Sequence, residues 1–497
     1  MKKEISGLPL WLFLLWLVML LFHSGILHLS PMPWFDETYF ASMARNFMDT
    51  GEFYPPVCPL MDYYYPQAKA YGPGYFMVLA GFFKVFGFDI VQMRFPALFF
   101  GFAFILTGGL LLRQAGVRPF FRNSFVVLLL FDPIYLQNIH SGRMDSQALF
   151  FAGLGSLFLL QGVRNGKILP YVWAGLCLGA AALTTPRVAV SMAGAGFTAL
   201  LVYISSPGWK QWIRLMLIPL LTAGMYSIWV FWAFGGYAEA WNYFFGQPRE
   251  KLYYDNLAQG YISLRKYIPA IQFPALFSFF LMLVLWFRKR MLMPWLFWLS
   301  LFNLMAFYLL VRDTGIYSVF AMPWLYILLV ILPDVFIPYP RIQGLMKIAV
   351  MLLCILNISV FAIKNTVILI SSGSRNDALV YDQLCRLIPK GSRVIGDEAY
   401  YYLTIRSGSD FQYLDRGAAG HQRIKYHKET YNFQYIIVRD PVVNPGELWN
   451  YSSKIPLRKI GEITTPEPPS LALKLDGFLK FAGIRMPQGY KGTVYQR

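Results

Sequence analysis

Residues 34–46 read WFDETYFASMARN and follow directly on the chain's first hydrophobic stretch. Two adjacent carboxylates, Asp36 and Glu37, therefore stand within a few residues of a membrane boundary. Phe40, Met43 and Phe47 recur after them at helical spacing, an apolar stripe for a helix lying on a bilayer surface. Acids at such a place are costly unless they face protein or water, which makes the pair a candidate site. The same pair equally suits a plain surface helix, because acids in a first turn complement the helix dipole. The rest of the chain has to separate these readings.

Of 497 residues, 57% are hydrophobic and 14% charged, whereas soluble globular chains carry about a quarter charged residues. Aromatics reach 18%, with 14 Trp and 32 Tyr, as expected of a polytopic membrane protein with interfacial belts. The four cysteines form no CxxC pair and so no metal or redox motif. Cys58 and Cys385 fall in segments expected outside; a bridge between them stays open beside two unrelated thiols. Lys2 and Lys3 precede an apolar run from Leu8 to Phe22, and no small-x-small cleavage pattern follows. The expectation is an uncleaved first span with its N-terminus in the cytoplasm.

Apolar stretches place spans near 8–29, 94–113, 123–138, 146–163, 168–185, 187–205, 212–235, 268–287, 292–311, 316–332 and 345–363. Several fall short of the roughly 20 residues of a comfortable span. Residues 75–88, YFMVLAGFFKVFGF, are apolar but brief and interrupted by Lys84, so they read as interfacial or re-entrant. The segments then expected in the cytoplasm hold Lys2, Lys3, Arg113, Arg118, Arg122, Arg164, Lys167, Lys210, Arg214, Arg288, Lys289, Arg290, Arg341 and Lys347, against only Glu4 and Asp334. The outer loop 30–93 reverses this, with Arg45, Lys69 and Lys84 against Asp36, Glu37, Asp49, Glu52, Asp62 and Asp89. That is the positive-inside pattern, and it accounts for the net charge of +18 without nucleic acid.

The outer loop is rich in Tyr and Pro, and YPPVCPLMDYYYPQAKAYGPGYF at 54–76 cannot be one continuous helix. It reads either as an interfacial plug or as a cavity wall whose tyrosines, Tyr71 among them, offer rings and hydroxyls to a sugar. On the same face open His140–Ser146 with Arg143 and Asp145, Thr184–Arg187, the loop 236–267 with Arg249 and Arg265, and the pair Arg312 and Asp313. After residue 363 the composition turns mixed. Candidate strands at 393–396, 411–414 and 434–438, and a helix at 377–388, predict a compact α/β domain over 364–497 on the outer face. His421 and His427 fit no common metal spacing.

The order of these pieces resembles the GT-C membrane glycosyltransferases. It runs from a first span to FDETYFASMARN, then YGPGYFMVLAGFFKVFG, then RFPALFFG opening a span. Within that class it is similar to the protein O-mannosyltransferase superfamily and its bacterial branch, which includes the aminoarabinose transferase of lipid A. GRMDS at 142–146 looks like that branch's Arg-x-Asp turn, and LTTPR at 183–187 like its Leu-Thr-Lys-Gly-Pro turn. The family's Lys-Pro-Pro turn here reads Lys69-Ala70-Tyr71-Gly72-Pro73-Gly74, which displaces the lysine expected to hold a lipid phosphate.

The resemblance implies a mainly α, polytopic membrane fold of GT-C type, with about 11 transmembrane helices over 1–363, juxtamembrane helices in loop 30–93, and a small C-terminal extracytoplasmic α/β domain. It implies inverting transfer of a sugar from a polyprenyl-phosphate donor to a lipid, glycan or protein hydroxyl on the extracytoplasmic face of the cell inner membrane. Such chemistry needs a carboxylate to take the acceptor's proton and cations to stabilise the departing phosphate. The expectation is Asp36 as base, Glu37 positioning it or the acceptor, and Asp145 as the second candidate acid, held by Arg143. Lys69, Tyr71, Arg143, Arg187, Arg249 and Arg265 are the substrate and phosphate candidates. No cofactor is expected, although some GT-C enzymes use a divalent cation. A lipid-linked glycan flippase would instead line a path with mid-span charges, and a glycan polymerase would share the lipid-linked substrate.

Overall fold

The computed structural model describes residues 4–5, 8–58, 71–205, 207–245, 273–289, 294–310, 317–335, 339–414, 431–439, 457–481, 484 and 489–497. Lys69, Arg249, Arg265, Arg312, Asp313, His421 and His427 lie outside the described residues.

Each apolar stretch of the sequence holds a helix. In chain order they are α1 (Leu10–Gly25), α2 (Phe35–Thr50), α3 (Pro73–Phe86), α4 (Ile90–Gln114), α5 (Pro119–Leu130), α6 (Pro133–Ile139), α7 (Asp145–Asn165), α8 (Ile168–Ala182), α9 (Ala189–Ser205) and α10 (Trp209–Phe234). There follow α11 (Tyr237–Phe245), α12 (Phe273–Lys289), α13 (Trp295–Leu310), α14 (Met322–Val335) and α15 (Pro340–Ile370). Among the described residues five helices are long and apolar enough to cross a membrane, or six if the bent pair α5 and α6 counts as one. The bend of 59° between them falls at Asp132-Pro133. Proline lacks the N–H needed to continue α5, and the Asp132 carboxylate caps the new helix by accepting the Ile134 and Tyr135 N–H groups. At the bundle end expected in the cytoplasm, Arg118 pairs with Asp334 at 2.5 Å.

The C-terminal region builds α16 (Asp377–Leu387), β1 (Arg393–Gly396), α17 (Tyr401–Arg406), β2 (Asp410–Tyr413), β3 (Tyr435–Arg439), β4 (Arg458–Thr464), α18 (Ser470–Phe481) and β5 (Lys491–Gln496). Its sheet runs β2-β1-β3-β5-β4, with β1 parallel to both neighbours and β5 antiparallel to both of its own. The three strands and the helix expected from sequence are present within a residue or so. The last two strands and α18 were not anticipated, because RKIGEIT and KGTVYQ alternate weakly and carry charges.

One expectation about α2 is overturned. Phe40 and Met43 do not face a bilayer; they are buried with Phe76, Leu79 and Phe83 of α3 and with Tyr400, Tyr402, Leu403 and Phe411 of the C-terminal region. Burying such side chains stabilises this junction by roughly 1.5–3 kcal/mol each. The helix with the acidic pair is thereby clamped between α3 and the sheet domain. Cys58 is buried, Cys385 exposed, and neither is disulfide-bonded.

Candidate active site

The acidic pair splits at once into two environments. Glu37 is completely buried and accepts two hydrogen bonds from Arg94, Nε to Oε1 at 2.6 Å and Nη2 to Oε2 at 2.8 Å. It also accepts the Trp34 backbone N–H at 3.3 Å, which closes the first turn of α2. Burial pushes the Glu37 carboxyl up to about 7, while the Arg94 guanidinium opposes that shift. Arg94 also donates through Nη1 to the Leu27 carbonyl at 2.6 Å, so one buried fork ties α2 and α4 to the turn after α1. The Tyr402 hydroxyl donates to the Glu37 carbonyl at 3.3 Å from the C-terminal region. Glu37 is thus fully engaged in holding α2.

Asp36 points the other way. Its side chain keeps 29% of its exposure and pairs through Oδ2 with Arg143 Nη1. Arg143 is 2% exposed and donates through Nε to Asp145 Oδ2 at 2.6 Å. Asp145, 3% exposed, meets Arg187 at 3.6 Å, and Arg187 keeps 23% exposure. Burial works against the Arg143 charge, yet Asp145 and Asp36 outweigh it and hold the guanidinium ionised well above its ordinary range. Arg187 also donates to the Tyr71 hydroxyl at 3.3 Å. Four of the sequence candidates, Asp36, Arg143, Asp145 and Arg187, therefore form one chain of charges, with Tyr71 at its edge.

Aromatic faces frame the two arginines. Trp34 lies 5.4 Å from the Arg143 guanidinium, and Tyr317 lies 4.8 Å from Arg143 and 4.2 Å from Arg187. The ring of Tyr71 is 5.5 Å from Arg187. Such rings favour cations while leaving their N–H edges free. Among the described residues Arg143 Nη2 and Arg187 Nη1 have no hydrogen-bond partner. Arg187 Nη1 faces Asp145 Oδ1 at 3.6 Å, so Arg143 Nη2 is the donor left over, and two guanidinium groups beside a half-open carboxylate can bind an oxyanion.

Backbone geometry brings these turns together. Gly142 sits at φ +59°, a left-handed conformation that suits glycine, and a Cβ there would meet Glu37 Oε1 at 3.3 Å. Its carbonyl accepts the Tyr75 hydroxyl at 2.7 Å. A Cβ on Gly72 would stand 2.0 Å from the Leu183 carbonyl oxygen, and the Gly74 N–H donates to that oxygen at 2.9 Å. The GPG turn after Tyr71 and the LTTPR turn before Arg187 thus close on each other only without side chains.

Sequence reasoning left Arg94, Trp34, Tyr75 and Tyr317 without a role. Arg94 carried a usable signal, a lone arginine opening an apolar helix; the aromatic residues carried none among 18% aromatics. Among the described residues no three His, Cys, Asp or Glu side chains gather as a metal site would require.

No family model matches the chain, and no curated protein matches it. Solved structures do. ArnT from Cupriavidus metallidurans bound to undecaprenyl phosphate is similar over 97% of each chain, with TM-score 0.61 and 14% identity. The same protein in its apo state gives 0.56 and 13% over 97% of each chain. The arabinofuranosyltransferase AftD from Mycobacteria gives 0.50 and 13%, covering 100% of this chain and 40% of AftD. At these identities the likeness is one of fold. Its helices and C-terminal sheet together give this chain a fold shared with ArnT over nearly its whole length.

Proposed function

We propose that this protein is an inverting membrane glycosyltransferase that moves a sugar from a polyprenyl-phosphate carrier to a hydroxyl of a lipid, glycan or protein. The observation that carries the reading is the row Asp36–Arg143–Asp145–Arg187, in which one accessible carboxylate adjoins two cations, one of them with an N–H group that has no hydrogen-bond partner among the described residues. The fold shared with ArnT, whose structure holds undecaprenyl phosphate, supports a carrier of that kind. Eleven spans over 1–363 with the N-terminus in the cytoplasm put this row and domain 364–497 on the extracytoplasmic face of the cell inner membrane, in keeping with the charge distribution.

In this mechanism the acceptor oxygen bonds to the anomeric carbon as the bond from that carbon to the phosphate oxygen breaks. The acceptor's proton passes to Asp36. The phosphate leaves on the prenyl chain, its growing negative charge met by Arg143 and Arg187. Asp145 touches neither reacting atom; it holds the two guanidinium groups in place. Tyr71 and Tyr317 give the sugar flat walls.

Purified full-length protein incubated with radiolabelled polyprenyl-phosphate sugars and a membrane lipid extract tests the reading. Label leaving the carrier for an acceptor is the expected result. Movement of intact carrier across a vesicle wall without cleavage would contradict it and indicate a flippase.

A further inference from the structure

Asp36 and Arg143 come from segments 107 positions apart, and something has to hold those segments in register. Two hydrogen bonds run between them in opposite senses. The Nδ1 of His140 lies 3.3 Å from the Ser30 carbonyl oxygen. The Nε1–H of Trp34 donates to the Ser141 carbonyl at 3.4 Å. Each bond joins a side chain of one segment to the backbone of the other. Both lie within six residues of the charge pair.

The chemistry fixes the tautomer. A carbonyl oxygen only accepts, so His140 carries its proton on Nδ1 and leaves Nε2 as an acceptor. Burial, with the neighbouring His23, Lys364 and Arg94, keeps the ring neutral by lowering its pKa well below the ordinary imidazole range. Nε2 has no hydrogen-bond partner among the described residues, and His140 lines a small cavity together with His23, Gln137 and Lys364. The His23 and His140 rings pack edge-to-face with their centres 4.7 Å apart. The ring therefore bonds to protein through Nδ1 alone. His140 and Ser30 are both at most 5% exposed, so water does not compete for that bond.

We infer that His140 and Trp34 form a reciprocal clip, and that His140 acts through it as a positioning residue that keeps Arg143 against Asp36. Trp34 also lies under the Arg143 guanidinium, so His140 is the member that can be altered without touching the charges. This inference rests on the glycosyl transfer proposed above.

The test compares full-length wild type, His140→Ala, His140→Asn and His140→Gln. An Asn amide places an N–H near the position of Nδ1, whereas a Gln amide reaches toward Nε2. Initial rates with a radiolabelled polyprenyl-phosphate sugar give kcat and KM, and thermal unfolding is followed in parallel. His140→Ala is expected to lower kcat about 30-fold with the donor KM within about twofold of wild type, because misplacement near the reacting atoms acts on the chemical step. His140→Asn recovers most of that loss and His140→Gln does not. In protein labelled with nitrogen-15 histidine, the resonance that His140→Ala removes is that of a neutral ring protonated on Nδ1.

A wild-type kcat in His140→Ala would overturn the clip, as would equal loss in the Ala and Asn variants or a proton on Nε2. A wild type that transfers no sugar overturns the proposed function instead, and the tautomer then decides the clip by itself.

Discussion

Asp132 and Asp145 are both buried carboxylates at helix N-termini in the same bundle, and their surroundings are wired differently. Asp132 accepts the Ile134 and Tyr135 N–H groups at 2.9 and 2.6 Å and the Tyr326 hydroxyl at 2.5 Å. Asn357 donates to that hydroxyl at 3.0 Å, and Lys364 donates to the Pro133 carbonyl at 3.0 Å. Both Asp132 oxygens, the Tyr326 hydroxyl and the Lys364 ammonium each have a hydrogen-bond partner within the protein. Around Asp145 the network is looser: its Oδ1 faces Arg187 Nη1 at 3.6 Å, beyond hydrogen-bond distance, and Arg143 Nη2 makes no hydrogen bond among the described residues. The closed buried network fixes a bend, whereas the looser one beside exposed edges is the one proposed above to meet the donor phosphate. Intramembrane charge alone would have ranked the two acids equally.

The comparison breaks most sharply at Arg143. Arg143→Ala is expected to lower transfer roughly a thousandfold, since it removes the central phosphate donor. It should also cost about 3 kcal/mol of stability, because buried Asp145 loses its main partner. Transfer rates and thermal unfolding of that variant report both losses. Next comes Glu37→Gln, which deprives the buried Arg94 fork of its counter-charge. Its expected cost is again about 3 kcal/mol in unfolding, and the activity it loses follows the folded fraction. Arg187→Gln is a narrower change, since this side chain keeps 23% exposure. It is expected to raise the donor KM about tenfold by losing one charged contact of about 1.4 kcal/mol, with unfolding unchanged. Tyr402→Phe, which removes only the donor to the Glu37 carbonyl, should cost about 1 kcal/mol and little activity.

Much of this was legible in the chain. Apolar runs located the helices, and WFDETYFASMARN, GRMDS and LTTPR each supplied a member of the cluster Asp36–Arg143–Asp145–Arg187. The divergence of Asp36 and Glu37 was not legible. Adjacent residues on a helix point about 100° apart, and which one is buried against Arg94 and which stays half-open beside Arg143 depended on arginines 57 and 107 positions away. Nor was the fate of the α2 stripe legible, because a stripe at helical spacing does not say whether protein or lipid will cover it. The sheet domain that covers it contributes Tyr402 and Phe411 from residues more than 350 positions away.

The most direct measurement sets the two networks side by side: sugar transfer per folded molecule and unfolding midpoint for Asp36→Asn and Asp132→Ala. Asp36→Asn is expected to lose roughly a thousandfold or more in transfer with its unfolding midpoint kept, as for removal of a general base. Asp132→Ala is expected to lose about 3 kcal/mol, from an uncapped helix and a stranded hydroxyl, while its folded molecules transfer sugar normally. Normal turnover by Asp36→Asn, or loss of turnover in fully folded Asp132→Ala, would contradict the account.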